Sequence, residues 1–244
     1  MSQENVVGNR RAGAADATGT APQSTVPPSP ELPSAGPPSP GPPSLAPEPE
    51  PTLRSRAKAN RRQAILRAAA SLFAQRGYNR VSIEDLGSAA GVSGPAVYRH
   101  FSGKQAVLAA LLVGVSEDLL EGGRSVVDEA ADDDRALRGL IQFHVDFALA
   151  NPDIIRVQDR ELANLIEADQ ASVRALQRNY IAVWVDLLGR IQPGVDPSVL
   201  RLKVQAAFGL INSTPHSARG QGRNVEAKTA RPVLEAMARA SLLA

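Results

Sequence analysis

The stretch in which hydrogen-bonding chemistry concentrates runs V-S-I-E-D-L-G-S-A-A-G-V-S-G-P-A-V-Y-R-H-F-S-G-K over residues 81–104. Ser82, Ser93, Tyr98, Arg99, His100 and Lys104 recur along it as donors, while Leu86, Val92 and Phe101 fall where a packed interior needs them. Hydroxyls, an imidazole and cations so arranged suit the phosphate oxygens and base edges of a nucleic acid. Covalent catalysis is a poorer fit. A nucleophile elbow needs G-x-S-x-G on a strand-turn-helix, and here Pro95 stands where the last glycine belongs, in a helical context. Cysteine is absent, which removes disulfides, thiol nucleophiles and cysteine zinc sites, and His100, His144 and His216 are the chain's imidazoles. No enzyme activity, cofactor or metal is expected.

The elements that must position these residues are helices. Ser82 can cap a helix beginning at Ile83, with the Asp85 carboxylate favouring its positive end. Gly91 supplies the unusual backbone of a turn, Ser93 can cap the next helix, and Pro95 sits in that helix's first turn, where its missing N–H costs nothing. A helix, a glycine-containing turn and a second short helix form the module that lays its second helix in the DNA major groove. Before it, Ile65, Ala68, Ala69, Leu72 and Phe73 make an apolar stripe closed by Gly77, and the solvent face carries Arg61, Arg62 and Arg67.

Charge divides along the chain in the same way. The net +2 conceals ten basic against two acidic residues over 51–104, a local +8, with −3 on each side. That is the electrostatic footprint of a nucleic-acid-binding segment, the alternative being a solvated basic face. Thirteen of the nineteen prolines lie between Pro22 and Pro51, and such a segment cannot bury a core. The chain therefore reads as all-α: a disordered tail over 1–53, a helix-turn-helix domain over 54–104, and a larger helical domain over 105–244. In the last, helices are expected to stop at Asn151-Pro152, to run from about Asp153 to Glu167, to start at a cap on Asp169, and to begin again near Asp196 and Thr229. No apolar run reaches the ~18 residues of a membrane span, so a cytoplasmic protein with no membrane partner is expected.

Residues 62–112 resemble the DNA-binding region of the TetR/AcrR family of regulators. Ala68, Phe73, Gly77-Tyr78, Ser82-Ile83, Leu86, Ala90-Gly91-Val92-Ser93, Tyr98, His100-Phe101 and Lys104 carry the resemblance. It implies a homodimer on a palindromic operator in double-stranded DNA, released by a small effector bound in the C-terminal domain. It also implies phosphate contacts from Ser82, Ser93, Tyr98, His100 and Lys104. One departure is Gly94, where the family often has lysine. With Gly94, Pro95, Ala96 and Val97 leading the recognition helix, base reading would then rest on apolar contact to thymine methyls and on Arg99, with Arg54, Arg56 and Lys58 compensating from just before the fold.

In the C-terminal domain Phe143 and Phe147 lie one turn apart, as do Tyr180 and Trp184, so the two pairs can face one cavity, or simply pack as core. His144, Asn164 and Asn179 are polar residues able to orient a mainly apolar ligand there, the alternative for each being an exposed or locally bonded side chain. The pairs Arg156/Arg160 and Arg174/Arg178 could receive an acyl-CoA-like anion, but the neighbouring Asp153, Asp159 and Glu161 point instead to a charged surface. The stripes of Leu200, Val204, Phe208 and Ile211, and of Val233, Leu234 and Met237, would leave an apolar patch unless a second copy covers them. An architectural DNA binder without an effector is the competing function, against which stands the long non-basic C-terminal region.

Overall fold

The computed structural model describes residues 52–213 and 227–244, and every regular element among them is helical. The proline-rich tail and His216 lie outside the described residues. Helix α1 (Leu53–Arg76) starts at Thr52, whose Oγ1 accepts the Ser55 N–H at 3.2 Å, and stops at Gly77, where φ is 81°. Arg54, Arg56 and Lys58, expected ahead of the fold, are therefore exposed residues of its first two turns. The physical reason is plain: Thr52 is a cap, and the next 24 residues contain neither glycine nor proline.

Helix α2 (Ile83–Ala89) opens with a reciprocal cap: Ser82 Oγ accepts the Asp85 N–H at 3.0 Å and Asp85 Oδ2 accepts the Ser82 N–H at 2.8 Å. Gly91 has φ 69°, as the turn requires. Helix α3 (Gly94–Val97) is a single turn. It is pressed so closely on α2 that a Cβ on Gly87 would lie 2.9 Å from both Gly94 N and Val92 O.

The remaining helices are α4 (Lys104–Asp128), α5 (Asp133–Ala150), α6 (Pro152–Glu161), α7 (Glu167–Ile191), α8 (Pro197–Asn212) and α9 (Ala227–Leu243). Asp132 and Asp196 cap α5 and α8 through the N–H groups of Arg135 and Ser198. Helix α6 is shorter than expected. It gives way to a 3-10 turn at Leu162–Asn164, after which Leu165 is extended and buried, so Asp169 lies in the first turn of α7 rather than at its cap. Burying Leu165 beneath the helix-turn-helix outweighs the continuation of a helical period.

The buried residues form two apolar cores. The first, the head, joins Ile65, Ala69, Phe73, Leu86, Val97 and Phe101 to Val107, Leu108, Leu111 and Leu112 of α4, and then to Val157, Leu165 and Val173. The second, the body, joins Leu119 and Leu120 of α4 to α5, α7, α8 and α9 around Leu140, Trp184, Leu188 and Val204. Helix α4 thus serves both cores, and α6 contributes Val157 to the head but Ile155 to the body. Among the described residues no helix is long and apolar enough to cross a membrane.

Two glycines should respond oppositely to alanine. Gly87→Ala forces α2 from α3 and should lower the unfolding free energy by about 1–3 kcal/mol. Gly114→Ala meets nothing within 4 Å inside a helix and should raise it by about 0.5–1 kcal/mol. Urea unfolding of both variants checks the pair, and a neutral Gly87→Ala would show that the two helices are not in tight register.

Candidate nucleic-acid interface and effector cavity

Val97, fully buried, and Phe101 anchor α3 to the head core and so decide which of its faces is turned outward. Ser93, Pro95, Tyr98 and Arg99 are exposed, Gly94 and Ala96 half so, and Tyr98 keeps 56% of its surface. Ser93 occupies the N-cap position but makes no capping bond. Pro95 in the first turn removes one of the N–H groups that a cap would use, and the hydroxyl is left for another partner. Ser82 differs: its hydroxyl also donates to Asp85 Oδ2 at 2.8 Å, and the Ser82 backbone N–H together with this hydroxyl holds the Asp85 carboxyl below its ordinary range.

Lys104 is half-buried. Its Nζ donates to the Tyr78 carbonyl at 2.9 Å and lies 4.3 Å from the centre of the Tyr78 ring, which leaves its other N–H groups available. His100 is half-buried with Nδ1 unpartnered inside. Arg54, Arg56, Lys58, Arg61, Arg62 and Arg67 are exposed along α1. The arrangement is a rigid, small-residue turn flanked by hydroxyl and guanidinium donors on a basic head.

The residues expected to form one effector pocket separate into three places. Asn164 belongs to a polar chain within the head: Tyr78 O–H donates to Gln105 Oε1, Gln105 Nε2 to the Asn164 carbonyl, and Asn164 Nδ2 to Glu161 Oε2, each at 2.7 Å. Arg160 reaches the Ala74 carbonyl at 3.4 Å, and Arg156 pairs with Asp153 at 3.5 Å, so the first arginine pair is engaged locally. Arg174 and Arg178 are exposed on α7.

His144, Tyr180 and Trp184 form a packed cluster completed by Phe208, whose ring stacks on His144 at 4.3 Å. Tyr180 Oη and His144 Nδ1 share a hydrogen bond at 3.3 Å whose direction follows the ring tautomer, and the other ring nitrogen is Nε2. That nitrogen and Asn212 Oδ1 are both buried without a completed hydrogen bond. Burial pushes the His144 pKa down to about 4, which the neighbouring Asn212 side chain offsets only in part, and burial pushes the Tyr180 phenol up.

Phe143 and Phe147 line an open cleft of about 920 Å³ bounded by α1, α4, α5 and the first turn of α6, with the Phe147 ring also 6.2 Å from that of His144. Sequence reasoning did not find this cleft. Its signal was the run of small residues Ala110 and Gly114 on α4.

The expected dimer stripe also needs correction. Leu200, Val204 and Ile211 are buried in the chain's own body core, Phe208 is committed to His144, and Leu234 is half-buried against the core. Of the seven large apolar side chains exposed among the described residues, four lie on α8 and α9: Val233 and Met237, which were among those expected at the interface, and Val199 and Leu202, which were not. Among the described residues no group of His, Asp or Glu converges to hold a metal.

Residues 65–111 match the family described as bacterial regulatory proteins, tetR family. The chain is 25% identical over 169 residues to the HTH-type transcriptional repressor KstR2 of Rhodococcus jostii, covering 68% of this chain and 81% of that protein. Its fold superposes on a TetR-family transcriptional regulator from Bordetella parapertussis with a TM-score of 0.64 and 25% identity, over 72% of this chain and 93% of that one. It also superposes on AibR in complex with isovaleryl coenzyme A and operator DNA, with a TM-score of 0.58 and 21% identity, over 72% and 97% of the two chains.

His144 makes stability acid-sensitive. Its folded pKa, about 4, lies below the ordinary 6.5, so its contribution is complete above pH 6.5 and is lost as pH falls toward 4. Between about pH 7.5 and pH 5, where most carboxylates stay ionised, this group alone should cost about 2 kcal/mol of unfolding free energy. His144→Phe, which keeps the stack on Phe208, should flatten the profile over that window; an equally steep profile in the variant would show that His144 is not buried neutral.

Proposed function

We propose that the chain is a regulator of the TetR type, as the match of residues 65–111 and the likeness to KstR2 support, and that it binds a palindromic operator as a homodimer and leaves it when a small, mainly apolar effector is bound. The observation that carries this is the outward face of α3, held by buried Val97 and Phe101 with Tyr98 and Arg99 exposed beside it. Tyr98, Ser93 and the free N–H groups of Lys104 bind phosphates and set the register. Arg99 reads a base edge, while Pro95 and Ala96 meet thymine methyls. The basic turns of α1 add long-range attraction that weakens with salt.

The second copy covers the outward faces of α8 and α9, since four exposed apolar side chains there would otherwise face water. An effector acts by changing the separation of the two heads, and its binding and DNA binding must oppose one another reciprocally. KstR2 is a repressor and AibR was solved with isovaleryl coenzyme A and operator DNA, which supports a DNA-binding repressor that also takes a small ligand as the reading for this chain.

The test begins with a duplex selected by the protein from a random-sequence pool, which should contain an inverted repeat. Tyr98→Phe should weaken binding to the selected and to random duplexes alike by about 1 kcal/mol. Arg99→Ala should instead relax preference at one position of each half-site by about 1–3 kcal/mol. Gly94→Lys should tighten both duplexes and steepen the log-log salt slope by about one, since a Cβ there meets only ordinary contacts with Glu84 at 3.5 Å and beyond. Leu202→Glu should yield a monomer in sedimentation that has lost the palindrome. A selected sequence without symmetry, or Arg99→Ala with unchanged preference, would overturn the reading.

A further inference from the structure

The 920 Å³ cleft lies on the seam between the two cores. Its walls include Leu66 and Leu111 from the head core, and Leu119, Phe143 and Phe147 from the body side. Nothing bulky fills the space above Gly114, where a Cβ would meet no atom within 4 Å. The volume is within the range of small-molecule sites, roughly 300–1,000 Å³, and the floor is apolar with aromatic edges.

The charges at the rim do not cancel. Asp146 is paired with Arg231 and Asp153 with Arg156. Arg62 lies 5.0 Å from the centre of the Phe101 ring, and a cation–π contact leaves its N–H edge free to bond. Arg67 is exposed and has no carboxylate partner among the described residues; Asp118 is the unpaired acid on the same rim. Two guanidinium groups against one free carboxylate favour an anion. The first turn of α6 lines the same space, and its positive end is already met by the Asp153 carboxylate, so the anion preference rests on Arg62 and Arg67.

We propose that this cleft binds an amphipathic anion, its apolar body against Phe143, Phe147 and Leu119 and its acidic head at Arg62 and Arg67, and that the occupied cleft is the state released from DNA. The inference rests on the reading of the chain as a ligand-responsive DNA binder and gives that ligand its place and chemical class. The site is distinct from the His144–Trp184 cluster, which is filled by its own rings. Helix α1 is one wall, and it carries the reading head; α4, α5 and α6 supply the others. An occupant that touches both cores holds them in one relative orientation, and it can shift the DNA equilibrium only as far as it prefers that orientation.

Dodecanoate and dodecyltrimethylammonium, which share an apolar chain and differ in the sign of the head, serve as probes for calorimetric titration of the full chain. Dodecanoate should bind saturably and at least tenfold more tightly than the cation. Gly114→Leu fills the open space on a helix that tolerates it, and should abolish dodecanoate binding with melting temperature maintained. Arg67→Gln, on an exposed surface, should bring the two probes to within about threefold of each other. Saturating dodecanoate should also lower affinity for the selected duplex at least tenfold in the wild type and not in Gly114→Leu. No saturable dodecanoate binding, equal binding of the cation, or binding unaffected by Gly114→Leu would overturn the site. Binding with these sensitivities but no effect on DNA would overturn the effector role while leaving the site, and a chain that binds no duplex at all would overturn the functional reading alone.

Discussion

Everything in this molecule depends on one helix having to satisfy two interiors. The first half of α4 buries Val107, Leu108, Leu111 and Leu112 under the helix-turn-helix, and its second half buries Leu119 and Leu120 among α5, α7, α8 and α9. A side chain buried on this scale is worth about 1.5–3 kcal/mol, so neither half can leave its core cheaply. A rearrangement of the reading head must therefore be carried by α4 moving as a lever, or by the contacts at the seam. The seam is where packing is incomplete: an open cleft lies between α1 on one side and α5 on the other. Open space is easier to exchange than a close-packed interior.

The body gains its rigidity from aromatic rings set on glycines. A Cβ on Gly122 would lie 2.4 Å from the Phe143 ring, and one on Gly123 2.5 Å from that of Tyr180, so these two positions admit α5 and α7 against α4. Around Tyr180 the rings of His144, Trp184 and Phe208 stack or meet edge to face at 4.3–6.2 Å. Such a cluster resists deformation. It provides a firm wall behind Phe143 and Phe147, so that an occupant of the cleft presses on the head rather than on the body.

Much of the reading head was legible in the sequence because its determinants are local. The Ser82–Asp85 cap, the left-handed Gly91 and Pro95 in a first turn are each decided within four residues, and all three stand where the spacing put them. Contacts across the fold were not legible in this way. Gly87 is one of several helical glycines until α3 lies 2.9 Å from it, and Leu165 ends α6 only because the head core receives it. The helices α8 and α9 are apolar on more than one face, so periodicity finds the strongest stripe and assigns it to a partner. The chain's own body takes that stripe, and Val199 and Leu202 are left outside. The same limit separated Phe143 and Phe147 from Trp184: pairs one turn apart share a helix face, but which neighbour that face meets is a tertiary fact.

That the head and body are two packed bodies meeting at a deformable seam can be measured directly, because the chain has no cysteine and accepts spin labels at chosen positions. Ala163→Cys, in the turn after α6, is paired in turn with Gln75→Cys on α1 and Gln142→Cys on α5, all at exposed positions. Electron–electron distances are then recorded with and without the selected duplex, with labelled chain diluted in unlabelled. The distance from Ala163 to Gln75, within the head, should stay constant, and the distance from Ala163 to Gln142, across the seam, should shift by about 2 Å. Movement between Ala163 and Gln75, with Ala163 and Gln142 fixed, would contradict the account by placing the turn after α6 with the body.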